Sequence, residues 1–203
     1  MMGFRYACFV SYCHGQHELM KGFIDQLKTA LKAELELLMN EELYIDEERL
    51  SPGYRYNEEL ARAICQSVCM IVVYSPKYER QEYCVREFEG MEQLEKKRGQ
   101  LLGATADEAR SFIIPIILRG DDDVPERIKR YRHYANFSRF TLAMPDIIRN
   151  PAYVEEIRKI ATVIYEQYNS FRVAGADPST LCTEFQLPPA SEVVAWRPQF
   201  VNR

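Results

Sequence analysis

Hydrophobic and polar positions alternate between two periods along the chain. "RYACFVSY" (5–12) is a nearly continuous apolar run ending in small and polar residues, which predicts a strand. From Gln16 to about Met39, the residues Met20, Phe23, Ile24, Leu27, Leu31, Leu35 and Leu38 keep helical spacing. "LYI" (43–45) predicts a short strand, followed by the polar loop "DEERLSPG" (46–53), in which Gly53 lets the chain turn. Asn57 is placed to cap a helix through about Ser67. "VCMIVVY" (68–74) is too apolar and β-branched for an exposed strand and should be central, buried on both faces. "SPKY" ends it, and a second long helix runs to about Arg98. "SFIIPIIL" (111–118) is another buried strand, with Pro115 marking an edge or a bulge. A charged loop with a helical turn (119–134), a short strand "ANF" (135–137) and a helix over 151–168 opened by Pro151 follow. Strands alternating with helices imply an α/β fold, a doubly wound parallel sheet covered on both faces. In such sheets ligands bind beyond the carboxyl ends of the strands, here the loops after Tyr12, Ile45 and Tyr74.

One helix carries an acid in an unexpected place. In "YERQEYCVREFEGM" (78–91), with Tyr83 set at zero and about 100° per residue, Glu87 falls at about 40°. That is inside the arc formed by Leu94, Met91, Cys84 and Phe88. Glu82 and Glu89 fall on the other side with Arg86, Glu92 and Gln93, and read as solvated-face residues. A carboxylate on the buried arc is either one half of an ion pair at a helix boundary, with Arg5 or Arg86 as partner, or a functional group.

Composition narrows the classes. The 203 residues are 47% hydrophobic and 28% charged, enough for one domain with a sizeable core and an appendage. A net charge of −4, with Lys and Arg spread along the chain, argues against a nucleic-acid partner. No apolar run approaches the roughly 20 residues of a membrane span, and the start is not a signal peptide, so neither a membrane partner nor export is expected. Cys8, Cys13, Cys65, Cys69, Cys84 and Cys182 show no paired-loop spacing and read as reduced thiols of a cytoplasmic protein. Cys13, His14 and His17 are too few and too local for a zinc site, so no metal is expected. There is no GxGxxG and no Walker loop, which argues against a dehydrogenase or a nucleoside triphosphatase. Residues 171–203 contain Pro178, Pro188, Pro189, Pro198 and the only tryptophan, Trp196, without a clear period. They read as a tail packed on the domain (1–170) or on a neighbouring subunit.

From residue 4 to about 168 the chain resembles the Toll/interleukin-1 receptor (TIR) domain family. "YACFVSY" resembles the family's first-strand box, and "LYIDEERLSPG" its second strand with the BB loop. "ARAICQSVCMIVVYSPKY" resembles the next helix and central strand, and "YCVRE" the segment with a cysteine three residues before a glutamate. The resemblance implies a flavodoxin-like sheet of about five parallel strands. TIR domains divide into adaptors, which only associate, and enzymes that cleave NAD+. The enzymes carry a glutamate in this helix, frequently as Trp-x-x-x-Glu. The matching positions here are Tyr83 and Glu87, with tyrosine in place of tryptophan.

On this resemblance Glu87 is the expected catalytic residue, and NAD+ is a substrate rather than a cofactor. Tyr83 is expected to stack on nicotinamide or adenine, and Cys84 flanks the acid. Ser11, Tyr12, Cys13 and His14 lie where family enzymes hold the dinucleotide; Tyr12 and His14 either stack or donate to phosphate, or simply form the loop. Asp46 either orients a ribose hydroxyl or caps the BB loop, and Ser75 either meets substrate or caps the turn in "YSPKY". Arg49 and Arg55 either meet the pyrophosphate or are solvated. With no output segment recognised in the chain, the resemblance extends to standalone prokaryotic TIR proteins, the sensor half of antiphage systems such as Thoeris. These convert NAD+ into a cyclic or otherwise modified ADP-ribose that signals to a separate effector, and self-associate through TIR–TIR contacts. The alternative is a non-catalytic TIR adaptor or scaffold acting through residues 46–55 and its helix faces.

Overall fold

The computed structural model describes residues 3–14, 18–40, 42–45, 56–103, 111–129, 133–140, 144, 146–193 and 196. The elements alternate as β1 (Tyr6–Tyr12), α1 (Glu18–Leu35), β2 (Glu42–Ile45), α2 (Tyr56–Cys65), β3 (Ser67–Tyr74), α3 (Glu82–Leu101), β4 (Ile113–Ile117), α4 (Glu126–Lys129), β5 (Ala135–Asn136) and α5 (Pro151–Ala174). All pairings are parallel, in the order β2-β1-β3-β4-β5. This is the flavodoxin-like order, and its direction reverses between β1 and β3.

The central strand earns its position by composition. Every residue of β3 is buried, as its Val- and Ile-rich run requires. α1 and α5 pack together on one face of the sheet, and α2 and α3 on the other. α1 turns Phe23, Ile24, Leu27, Leu31 and Leu35 inward at helical spacing. α5 starts at Pro151 behind Asn150, whose side chain accepts from the backbone N–H groups of Ala152 and Tyr153. It runs six residues past the expected 168, to Ala174, and Gly175, with a φ of 61°, ends it in the left-handed region.

Other expectations need adjustment. Asn57 lies inside α2, which begins at Tyr56, so it is not the residue before the helix. Pro115 sits in register opposite Val72 without a bulge. β5 meets β4 only at Ile116 and Ile117, so the side of Pro115 turned away from β3 lies beyond the ladder and no N–H is needed there. The reduced-thiol expectation fails for two of the six cysteines: Cys65, the last residue of α2, is joined to Cys182 by a disulfide, 117 residues apart in sequence. Only the path of the tail brings the two together, and no local spacing signals it. Cys8, Cys13, Cys69 and Cys84 are buried and take no part in a disulfide. No helix among the described residues is long and apolar enough to cross a membrane.

Candidate functional site

The site is assembled where the strand order reverses. β1 delivers Ser11 and Tyr12 to its carboxyl end, in register with Val72 and Val73 of β3. Beyond β3 the chain turns through Pro76 and Lys77 into a short 3-10 segment, Tyr78–Arg80, with the N–H of Tyr78 donating to the carbonyl of Ser75 at 2.8 Å. That turn is pinned from below by Gly120, whose φ of 79° and missing side chain leave room for Pro76; a Cβ would stand 2.8 Å from Pro76 Cγ. α3 then begins at Glu82, and its second turn points Glu87 back at β1.

Glu87 is completely buried. Ser11 Oγ donates to Glu87 Oε2 at 2.6 Å and lies 2.7 Å from the hydroxyl of Tyr78. The Tyr78 hydroxyl in turn donates to the carbonyl of Cys84 at 3.1 Å. Proton bookkeeping orders these contacts. With Glu87 ionised, the single proton of Ser11 goes to the carboxylate, so the single proton of Tyr78 is shared between Ser11 and the Cys84 carbonyl. The acid is therefore held by a serine that is itself held by a tyrosine.

An aromatic wall stands beside this cluster. The rings of Tyr12 and His14 stack at 4.2 Å with 23° between their planes. His14 meets Tyr83 edge-on at 6.1 Å, and the backbone N–H of His14 donates to the Tyr83 hydroxyl at 3.0 Å. A tryptophan at position 83 would supply a ring but no acceptor. Tyr83 thus ties the start of α3 to the loop after β1.

The predicted residues separate into groups. Glu87, Ser11, Tyr12, His14, Tyr83 and Cys84 gather at one rim; Cys84 is a buried thiol whose carbonyl enters the cluster. Ser75 serves the turn after β3 through its carbonyl. Asp46, Arg49, Gly53 and Arg55 lie outside the described residues. Tyr78 was not foreseen as a site residue. Its signal was slight, an aromatic directly after the strand-breaking "SPK". The ion-pair alternative for Glu87 loses Arg86, whose Nε donates to the carbonyl of Pro188 at 2.8 Å, while Arg5 lies over the Tyr6 ring at 5.3 Å. Among the described residues, no cluster of three or more His, Cys, Asp or Glu side chains is arranged to hold a metal.

The far face of α3 corrects the reading of Glu89 as solvated. Glu89 is buried, and Arg127 of α4 donates to its Oε1 at 2.9 Å and also to Glu92. Helical phase places Glu89 on the outer face, and that face is covered by Arg127 of α4. Phe185 and Leu187 are buried against Gly90, and a Cβ there would stand 2.8 Å from Leu187 Cδ2. Trp196 packs on Phe88 (4.6 Å) and Tyr78 (5.8 Å), with the Arg127 guanidinium 5.7 Å from its ring.

Residues 8–147, more than half of the chain, match the family model described as the TIR domain. The chain belongs to the TIR-domain family. That family includes NAD+-cleaving and scaffolding members. Among solved structures, this TIR domain is similar to the TIR domain of the Toll-related receptor TRR-2 from Hydra magnipapillata, at 18% identity and a TM-score of 0.49, covering 77% of this chain and 98% of that one. It is also similar to a TIR-domain chain of the activated Roq1 resistosome directly recognizing the pathogen effector XopQ, at 19% identity and a TM-score of 0.39, covering 87% of this chain and 95% of that one. No curated protein matches the chain.

Proposed function

We propose that this TIR protein cleaves the nicotinamide–ribose bond of NAD+, with Glu87 as the catalytic carboxylate. The observation that carries the reading is an acid, fully buried and fixed by Ser11, at the carboxyl end of the sheet where the strand order reverses. Nicotinamide leaves as a neutral molecule from a pyridinium, so no second carboxyl group is required to protonate it, unlike ordinary glycoside hydrolysis. The charge that develops is oxocarbenium-like, on the ribose. A carboxylate withdrawn from water stabilises that charge and accepts from the ribose hydroxyls. The Tyr12, His14 and Tyr83 rings offer flat faces for the nicotinamide or adenine. Because Glu87 has no exposed surface, the ribose must displace what covers it. Capture of the cation by water gives ADP-ribose; capture by a nucleophile of the same molecule gives a cyclic product.

The finer reading places the protein in the cytoplasm, where NAD+ is abundant, self-associating through TIR–TIR contacts and signalling to a separate effector in antiphage defence. The test is nicotinamide release from NAD+, with the products identified by mass spectrometry. Glu87→Gln should lower turnover by roughly 10²–10³-fold with the fold retained. Equal turnover by wild type and Glu87→Gln, or none at concentrations where the protein assembles, refutes the reading. The second reading is a TIR scaffold. The same burial favours it, because an acid bonded to Ser11 also serves to hold α3 against β1. In that case substitutions within 46–55 abolish cellular function while Glu87→Gln leaves it intact.

A further inference from the structure

The disulfide and the cleft beside it form a unit that the proposed chemistry does not use. Cys182 and Arg86 line a cleft of about 420 Å³ together with Asn57, Glu58, Arg62 and Phe185. This volume is within the roughly 300–1,000 Å³ that holds small organic ligands. The two cysteines differ in burial. Cys65 is buried at the end of α2, whereas Cys182 is only partly buried and lines the cleft.

We infer that this cleft admits a small acidic thiol, of the class of a thiol-bearing tripeptide, which opens the disulfide at Cys182 and thereby releases the segment covering α3. The step is ordinary exchange. The incoming thiolate attacks Cys182 Sγ, a new S–S bond forms to it, and the Cys65–Cys182 bond breaks with its electron pair left on Cys65. The proton lost by the incoming thiol is regained there. A second thiol molecule attacks the small-thiol sulfur of the mixed disulfide, which leaves Cys182 as a thiol and releases the symmetrical disulfide of the small thiol. Arg62 and Arg86 bias the cleft toward a carboxylate-bearing thiol, with Glu58 opposing them.

What the disulfide restrains is the C-terminal layer packed along α3: Phe185 and Leu187 on Gly90, the Pro188 carbonyl on Arg86, and Trp196 on Phe88 and Tyr78. The indole N–H of Trp196 is buried without a partner among the described residues, so departure of the ring gains a hydrogen bond to water. Tyr78 links this layer to the acid, touching Trp196 through its ring and Ser11 through its hydroxyl. The effect on catalysis rests on the reading of Glu87, but the clasp itself does not. Disulfides in reducing compartments are usually transient and redox-sensing.

The full chain is treated with reduced glutathione and, separately, with the uncharged 2-mercaptoethanol, then acid-quenched. Peptide mapping should find the mixed disulfide on Cys182 and a free thiol at Cys65. Emission of Trp196, the only tryptophan, should shift to the red in step with opening, reaching the spectrum of Cys182→Ser. Arg62→Glu should slow opening by glutathione a few-fold and leave the rate with 2-mercaptoethanol unchanged. An adduct on Cys65, opening without a change in emission, or equal effects of Arg62→Glu on both thiols would each overturn the inference. All three readouts are independent of NAD+ turnover, so failure of the clasp and failure of the enzyme reading are told apart.

Discussion

Replacing Ser11 by alanine removes a hydroxyl that touches both Glu87 and Tyr78. Ser11 is buried and alanine occupies less space, so the change introduces no clash. The bond lost is the 2.6 Å contact to the carboxylate, and hydrogen bonds to charged groups contribute about 1.5–3 kcal/mol. Tyr78 keeps its alternative acceptor, the Cys84 carbonyl at 3.1 Å, so little is added from that side. The expected cost is about 2–3 kcal/mol of unfolding free energy. Tyr78→Phe should be milder, about 1 kcal/mol. Ser11 still donates to Glu87, and the Cys84 carbonyl lies inside α3, where it retains its helical partner. The double variant should cost little more than Ser11→Ala alone, leaving a coupling within about 0.5–1.5 kcal/mol. Urea denaturation of the four proteins at neutral pH measures all of these terms. If Tyr78→Phe costs as much as Ser11→Ala, the assignment of the serine proton to Glu87 is wrong. On the enzymatic reading, Ser11→Ala also depresses NAD+ turnover more than Tyr78→Phe does, because only the first changes the bonding of the carboxylate.

Arg127→Met keeps a stem to lie on Phe88 and Trp196 but takes the guanidinium away from the buried Glu89 carboxylate and from Glu92; a loss of about 3 kcal/mol is expected, largely recovered by adding Glu89→Leu, both read by urea denaturation. Tyr83→Phe removes the acceptor of the His14 N–H and should cost about 1 kcal/mol in the same assay, and Tyr83→Trp should not recover it. Burial pushes the Cys69 thiol from 9.0 up to about 12, against a smaller downward pull from Arg98, and burial also raises Cys8 on the neighbouring strand. The folded state therefore holds these protons where the unfolded chain has released them, so this stabilisation is complete below about pH 9 and is lost as pH rises toward 12. Urea midpoints should fall across that range, and less steeply in Cys69→Ala.

The sheet was legible because each strand is a short apolar run set between helical periods, and β3, the most apolar, is also the most buried. Helical phase alone placed Glu87 on the inner arc and Glu89 on the outer one. The phase was right in both cases, but the burial was right in one. Phase reports which way a side chain points, and says nothing of a layer supplied by residues a hundred positions away. The C-terminal segment has no period because its described regular pieces are only single 3-10 turns, Pro178–Leu181 and Ala190–Glu192; it is held by a disulfide, a backbone carbonyl on Arg86 and one indole ring. Tyr78 was missed for a related reason. Its role depends on a hydroxyl meeting Ser11 across 67 residues, which no local pattern encodes.

α3 is consequently a helix held on both faces. A helix packed on one face only can shift along its groove at modest cost, and a carboxylate on it would then be poorly placed to meet ribose charge, where misplacement by about 1 Å costs on the order of 100-fold. Here the inner face is tied to β1 by Ser11 and to the following loop by Tyr83, while the outer face is tied to α4 by Arg127 and to the C-terminal segment by Arg86. Tyr78 belongs to both sets of ties. Any loosening of the outer layer therefore reaches Glu87 through a residue that does not move the sheet. The folded core can thus stay intact while the geometry of the acid changes, so on the enzymatic reading stability and turnover should separate in variants of the outer layer and fall together in variants of the inner one.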